Sequence, residues 1–103
     1  MHSDAEIGKS LRTLVDRTAT TRERTTATMI LARCPEAPVL EPLCAVAEDS
    51  DNAVELLEAV GRAVARVTMS RGGTDDTFFL ANWADAAFLA FDEELAVIAN
   101  ERE

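Results

Sequence analysis

The sequence predicts an all-α fold: a small four-helix, mostly antiparallel bundle that forms a single domain over residues 1–103. Three observations predict it. The hydrophobic residues, 48% of the chain, are mostly Ala, Leu and Val, with four Phe and no Tyr, which suits helix packing better than a β-sandwich. Apolar residues recur at spacings of three and four over long stretches. Three Pro and four Gly divide the chain into only a few segments.

The first predicted helix is long and runs from near Ser3 to Arg33. Ser3 is a good N-cap residue, and Glu6 follows at the spacing of a capping box. The alternative is a break around residues 18–21, because threonine is a mediocre helix former. One continuous helix is the favoured interpretation, since neither Gly nor Pro lies near this point.

A short second helix is predicted over about residues 39–47, after a break at residues 34–38 that contains two prolines. A long third helix then runs from the acidic capping segment 48–52 to about Ser70. Its apolar surface is broad, which predicts burial on two sides. Gly61 lies inside this helix, where glycine costs about 1 kcal/mol relative to alanine. A close crossing with another helix would offset that cost.

The long fourth helix is predicted from about Asp75 to Asn100, after the glycine pair 72–73. It is apolar nearly all the way round from Phe78 to Phe91, which indicates a central helix or one shared with a second subunit. The short second helix is too small to cover the faces of the third and fourth helices. We therefore expect a homodimer.

The residue inventory argues against most enzyme classes. His2 is the single histidine and stands at the terminus, so catalysis by a Ser–His or Cys–His pair is not expected. Cys34 and Cys44 are expected to be free thiols, and with His2 they are too few for a four-ligand metal site. We expect no cofactor, and we favour a protein without enzymatic activity.

The chain shows no sign of an export signal or a membrane-spanning segment. Residues 1–10 are polar and acidic, without the apolar stretch of a signal peptide. No run of apolar residues is long enough to cross a bilayer. The expectation is a cytoplasmic protein that does not associate with membranes.

Charge is distributed unevenly along the chain. Residues 1–34 carry a net charge of +2 and residues 35–103 one of −11, which together give −9. An overall charge of this sign repels a polyanion, so direct nucleic-acid binding is not expected. The basic segment 22–26 is instead expected to neutralise acidic helices within the molecule.

The leading functional hypothesis is a small acidic binding or regulatory protein that acts through its surface. Its carboxylates would dock on a basic site of a partner protein, such as a nucleic-acid-binding channel, by analogy of charge and size with small acidic inhibitor proteins. The candidate partner-binding residues are Glu48, Asp49, Asp51, Asp75, Asp76, Asp92, Glu93 and Glu94.

An alternative hypothesis starts from two short acidic motifs. Glu55 and Glu58 form an ExxE on the third helix, and Asp85 ends the segment 82–85 on the fourth. This pair resembles the MazG-like all-α nucleoside triphosphate pyrophosphohydrolases, in which an ExxE and an ExxD gather Mg²⁺. The resemblance covers residues 55–85 and implies Glu55, Glu58 and Asp85 as Mg²⁺ ligands. The chain departs from the family pattern at Asn82, which replaces the first carboxylate of the second motif.

Overall fold

The computed structural model describes residues 4–34, 39–70 and 83–101, and α-helix is the regular secondary structure of these ranges. The helices are α1 Asp4–Val15, α2 Thr21–Leu31, α3 Leu40–Glu48, α4 Val54–Ser70 and α5 Asp85–Glu101. The all-α prediction is confirmed. The four-helix description differs from the structure, because the described ranges alone contain five helices.

The extra helix arises because the long first helix of the prediction is broken at residues 16–20. The Oδ1 of Asp16 accepts hydrogen bonds from the backbone nitrogen of Thr18 at 2.9 Å and from its hydroxyl at 2.6 Å. Thr20 then caps α2: its Oγ1 accepts from the nitrogen of Glu23, whose Oε1 accepts from the nitrogen of Thr20, both at 3.1 Å. These local bonds offer the backbone an alternative to helix, and the capping box starts a new one.

One arginine connects the first four helices. Arg24 Nε donates to the carbonyl of Leu14 at 2.9 Å, and its Nη1 donates to Asn52 Oδ1 at 3.1 Å. Asn52 Nδ2 in turn donates to the carbonyl of Val46 at 3.1 Å. Arg24 therefore links the end of α1 and the start of α2 to the connection between α3 and α4. Arg24 therefore acts within the molecule, but both of its partners are neutral groups, so these bonds do not test the expectation that segment 22–26 neutralises acidic helices.

The centre of the fold is α4, which packs against α2, α3 and α5. Its buried apolar residues are Leu56, Leu57, Val60, Ala63, Val64, Ala65 and Val67. Burial on two sides was expected for this helix and is confirmed. The last helix is not the central one: α5 packs chiefly on α4 and leaves Phe88, Leu89 and Val97 exposed by 43%, 60% and 43%.

Helices α4 and α5 approach closely at Gly61. A Cβ at this position would lie 2.1 Å from the carbonyl oxygen of Ala87 and 3.1 Å from the nitrogen of Phe91. No side chain fits in that space, so the close crossing predicted from Gly61 is confirmed. The ring of Trp83 meets that of Phe91 edge-on beside this contact, with centroids 5.5 Å apart.

The two crossing helices run in the same general direction. Gly61 lies against Ala87, whereas Arg66, further along α4, binds Glu94 and Glu101, further along α5. An antiparallel pair would place Arg66 near the start of α5 instead. This arrangement differs from the mostly antiparallel bundle expected from the sequence.

The last helix also begins later than predicted. Residues 83–84 are not helical, and the nitrogen of Ala84 donates to the carbonyl of Ala47 at 2.9 Å. This bond attaches the chain to the end of α3 immediately before α5 starts at Asp85. The predicted cap Ser3, the glycine pair 72–73 and the predicted helix start at Asp75 lie outside the described residues.

Candidate functional site

The connection between α3 and α4 carries three of the predicted partner-binding carboxylates, and they differ in role. Glu48 and Asp51 are exposed and form no ion pair with any residue in the described ranges. Asp49 is half-buried: it pairs with Arg17, and its Oδ1 accepts from the nitrogen of Asp51 at 3.0 Å. Asp49 therefore holds the connection in place, while its two neighbours face solvent.

The outer face of α5 carries carboxylates and apolar side chains but no base. Asp92 and Glu93 are exposed, as is Asp85 in the first turn, and none forms an ion pair with a described residue. Leu89 and Ala96 are exposed on the same helix. Since α5 contains no Lys or Arg, nothing on the helix itself offsets these charges.

Glu94 points toward α4 and is used within the molecule. Its Oε2 accepts from Arg66 Nε at 2.6 Å, and the Glu94 side chain is only 14% exposed. The remaining nitrogens of Arg66 bind both carboxylate oxygens of Glu101, at 2.9 and 3.2 Å. The hydrogen bonds from Arg66 hold the pKa of Glu101 below its usual value, and those to Glu101 and Glu94 raise the pKa of Arg66.

The exposed carboxylates are grouped partly by the fold itself. Because Ala84 is bonded to Ala47, the start of α5 lies beside the end of α3. Asp85 and Glu48, the next residue along in each case, therefore belong to the same corner of the molecule as Asp51. The candidate residues Asp75 and Asp76 lie outside the described residues.

The structure does not gather the carboxylates of the alternative hypothesis into a metal site. Glu55 and Asp85 are exposed, and Glu58 lies 3.9 Å from Arg62 on the same helix. Within residues 4–34, 39–70 and 83–101, no three His, Cys, Asp or Glu residues are placed to hold a metal ion. These ranges include Glu55, Glu58 and Asp85, so these three side chains do not form such a group.

The two cysteines are free, as expected. Burial raises the pKa of Cys44 to about 11, and desolvation also raises the pKa of Cys34. Both thiols are therefore protonated at neutral pH, and a protonated thiol is a poor nucleophile. The Cys34 Sγ donates to the carbonyl of Ile30 at 3.3 Å. Nothing in these environments favours cysteine chemistry.

Two surface grooves were not predicted from the sequence. The first, named here the α2–α4 groove, encloses about 430 Å³ and is lined by Thr25, Met29, Ala32, Arg33, Glu55, Ala59, Arg62, Ala63, Arg66 and Glu94. The second, about 450 Å³, lies between α1 and α2, and its charged lining residues are Glu6, Lys9, Arg22 and Glu23. Their lining residues come from separate helices, and no local motif relates them.

In the described part of the chain, no helix is long and apolar enough to cross a membrane.

Comparisons with known proteins give no family. No family model matches the chain, and neither the curated proteins nor the solved structures provide a significant match to it.

Proposed function

We propose that this protein is a non-enzymatic binding or regulatory protein that docks exposed carboxylates on a basic surface of a partner protein. One observation carries the proposal. Five carboxylates at the α3–α4 connection and on α5 are exposed and form no ion pair with a described residue: Glu48, Asp51, Asp85, Asp92 and Glu93. Asp85 joins the set because it shares a corner of the fold with Glu48 and Asp51.

The proposal excludes two residues of the original candidate set as anchors. Asp49 already pairs with Arg17, and Glu94 with Arg66. Using either carboxylate for a partner would break a bond within the molecule. The five free carboxylates incur no such cost, because a partner displaces only their hydrating water.

The charge of the whole chain supports a cationic partner. At −9 the molecule repels nucleic acid and is attracted to a basic protein surface, which accelerates their encounter. Exposed charges are screened beyond about 8 Å at physiological ionic strength. Binding of this kind therefore weakens as salt is raised. The same reasoning makes a partner's nucleic-acid-binding site a suitable target, with the carboxylates in place of phosphates.

Affinity capture with two charge-neutralised variants tests the proposal. One variant neutralises the five carboxylates: Glu48→Gln, Asp51→Asn, Asp85→Asn, Asp92→Asn and Glu93→Gln. The control neutralises Asp4 and Glu41, which are exposed elsewhere. Wild type and control should capture the same basic protein and release it on raising salt, while the neutralised variant should not. Pyrophosphate release from a nucleoside triphosphate with Mg²⁺, lost in Glu58→Ala, would contradict the proposal.

A homodimer in the cytoplasm is part of the proposal. The faces of α4 are covered by the chain itself, so they require no second copy. The remaining support for a dimer is the exposure of Phe88 and Val97 on α5, because Leu89 lies among the carboxylates assigned to the partner protein. Sedimentation equilibrium at micromolar concentration should give twice the chain mass, whereas 11.2 kDa would contradict a dimer.

A further inference from the structure

We infer that the α2–α4 groove is a binding site for a small amphipathic monocarboxylate, with the head group at Arg33 and Arg62 and the apolar body along Met29 and Ala59. This inference is independent of the proposed function, since it concerns a different face and a different kind of ligand. The volume of the α2–α4 groove, about 430 Å³, falls within the range of small-molecule sites.

The groove has two unlike ends. Arg24 is bonded to Asn52, so the first turn of α2 lies beside the start of α4. Lining residues then advance together along both helices: Thr25 with Glu55, Met29 with Ala59, and Arg33 with Arg62. The arginines therefore occupy one end, where Glu94 is neutralised by its bond to Arg66, and Glu55 occupies the other. With a rise of 1.5 Å per residue, the span from Thr25 to Arg33 is about 12 Å.

Two guanidinium groups at the arginine end have donors to spare. Arg33 is exposed and forms no ion pair with a described residue, and Arg62 has only the loose contact of 3.9 Å with Glu58. Each guanidinium carries five N–H donors in a fork that matches a carboxylate.

The rest of the groove selects against other anions. Its middle is formed by the Met29 thioether, 59% exposed, and by Ala59, which suits an aliphatic chain. Glu55 at the far end would repel a second negative charge. A ligand with one carboxylate and an apolar body satisfies both conditions, whereas a polyphosphate satisfies neither.

Titration of the full chain with sodium octanoate, followed by amide NMR shifts, tests the inference. We expect saturable shifts at Met29 and Ala59. The double variant Arg33→Gln/Arg62→Gln should bind roughly tenfold or more weakly, because two charge-assisted bonds are lost. The control variant Arg12→Gln, at an exposed position of α1, should bind octanoate as wild type does. Octan-1-ol, which lacks the carboxylate, should bind wild type more weakly than octanoate.

Four results would overturn the inference: no saturable shift, shifts confined to another face, equal binding by the double variant, or equal binding of octan-1-ol. A second variant guards against a folding artefact. Ala59→Leu fills the middle of the groove and should abolish the shifts while leaving the helical circular dichroism unchanged. If Ala59→Leu retains wild-type circular dichroism and still binds octanoate as wild type does, the groove is not the site.

Discussion

At the scale of single residues, Gly61 and Gly8 form a matched pair of helix glycines. A Cβ at Gly61 would collide with the carbonyl of Ala87 at 2.1 Å, whereas at Gly8 it would make an ordinary contact of 3.7 Å with the flexible end of Arg12. In both helices alanine has the better intrinsic propensity. The packing around each glycine therefore decides whether its substitution by alanine raises or lowers the free energy of unfolding.

We expect Gly61→Ala to lower the free energy of unfolding by about 1–3 kcal/mol, because the α4–α5 crossing must open to admit the methyl group. We expect Gly8→Ala to raise it by about 0.5–1 kcal/mol. Urea denaturation of both variants measures the difference. A stabilising Gly61→Ala would mean that the two helices do not cross at this position.

A second residue-scale prediction concerns acid. The hydrogen bonds from Thr20 hold the pKa of Glu23 below its ordinary value of 4.5. A carboxyl whose pKa is lower in the folded state stabilises the fold above its unfolded pKa, and that contribution is lost as pH falls through the folded pKa. Stability should therefore be constant from pH 7 to about 4.5 on this account and decline below it. Glu23→Gln, measured by denaturation at each pH, should show a shallower decline, and identical acid limbs would contradict the prediction.

At the scale of elements, the fold depends on how one arginine ties helices together. Arg24→Met keeps the aliphatic stem but leaves the Leu14 carbonyl and Asn52 Oδ1 without their donor. We expect a loss of about 1–3 kcal/mol in the free energy of unfolding. Arg22→Met is the control, because Arg22 is exposed and forms no hydrogen bond with a described residue. Equal effects of the two substitutions would mean that Arg24 does not join the helices.

The elements show which signals a sequence carries and which it hides. Gly61 predicted a helix crossing because glycine inside a helix is less stable than alanine, and close packing against another helix offsets that cost. The break before α2 was only the alternative interpretation, although Thr20 and Glu23 stand at the spacing of a capping box. The capping-box spacing is a local signal that the sequence contains. The apolar stripe that continues through residues 16–20 favoured a continuous helix instead. The shared direction of α4 and α5 could not be predicted, because it depends on tertiary packing.

At the scale of the whole molecule, the tertiary structure shows which carboxylates are paired and which are free. Net charge identified an acidic surface, but sequence could not tell that Asp49 would meet Arg17 or that Glu94 would meet Arg66, since each partner is about 30 positions away. The α2–α4 groove was hidden for the same reason. Composition was sufficient for fold class, whereas sorting free from paired side chains required the assembled helices.

The central claim is that the five free carboxylates bind a basic partner electrostatically. The most direct measurement is the affinity of the captured partner for wild type and for the five-residue neutralised variant over a series of salt concentrations. We predict that affinity for wild type falls steeply with salt, and that the variant binds weakly with little salt dependence. Equal affinity of the two proteins at every salt concentration would contradict the claim.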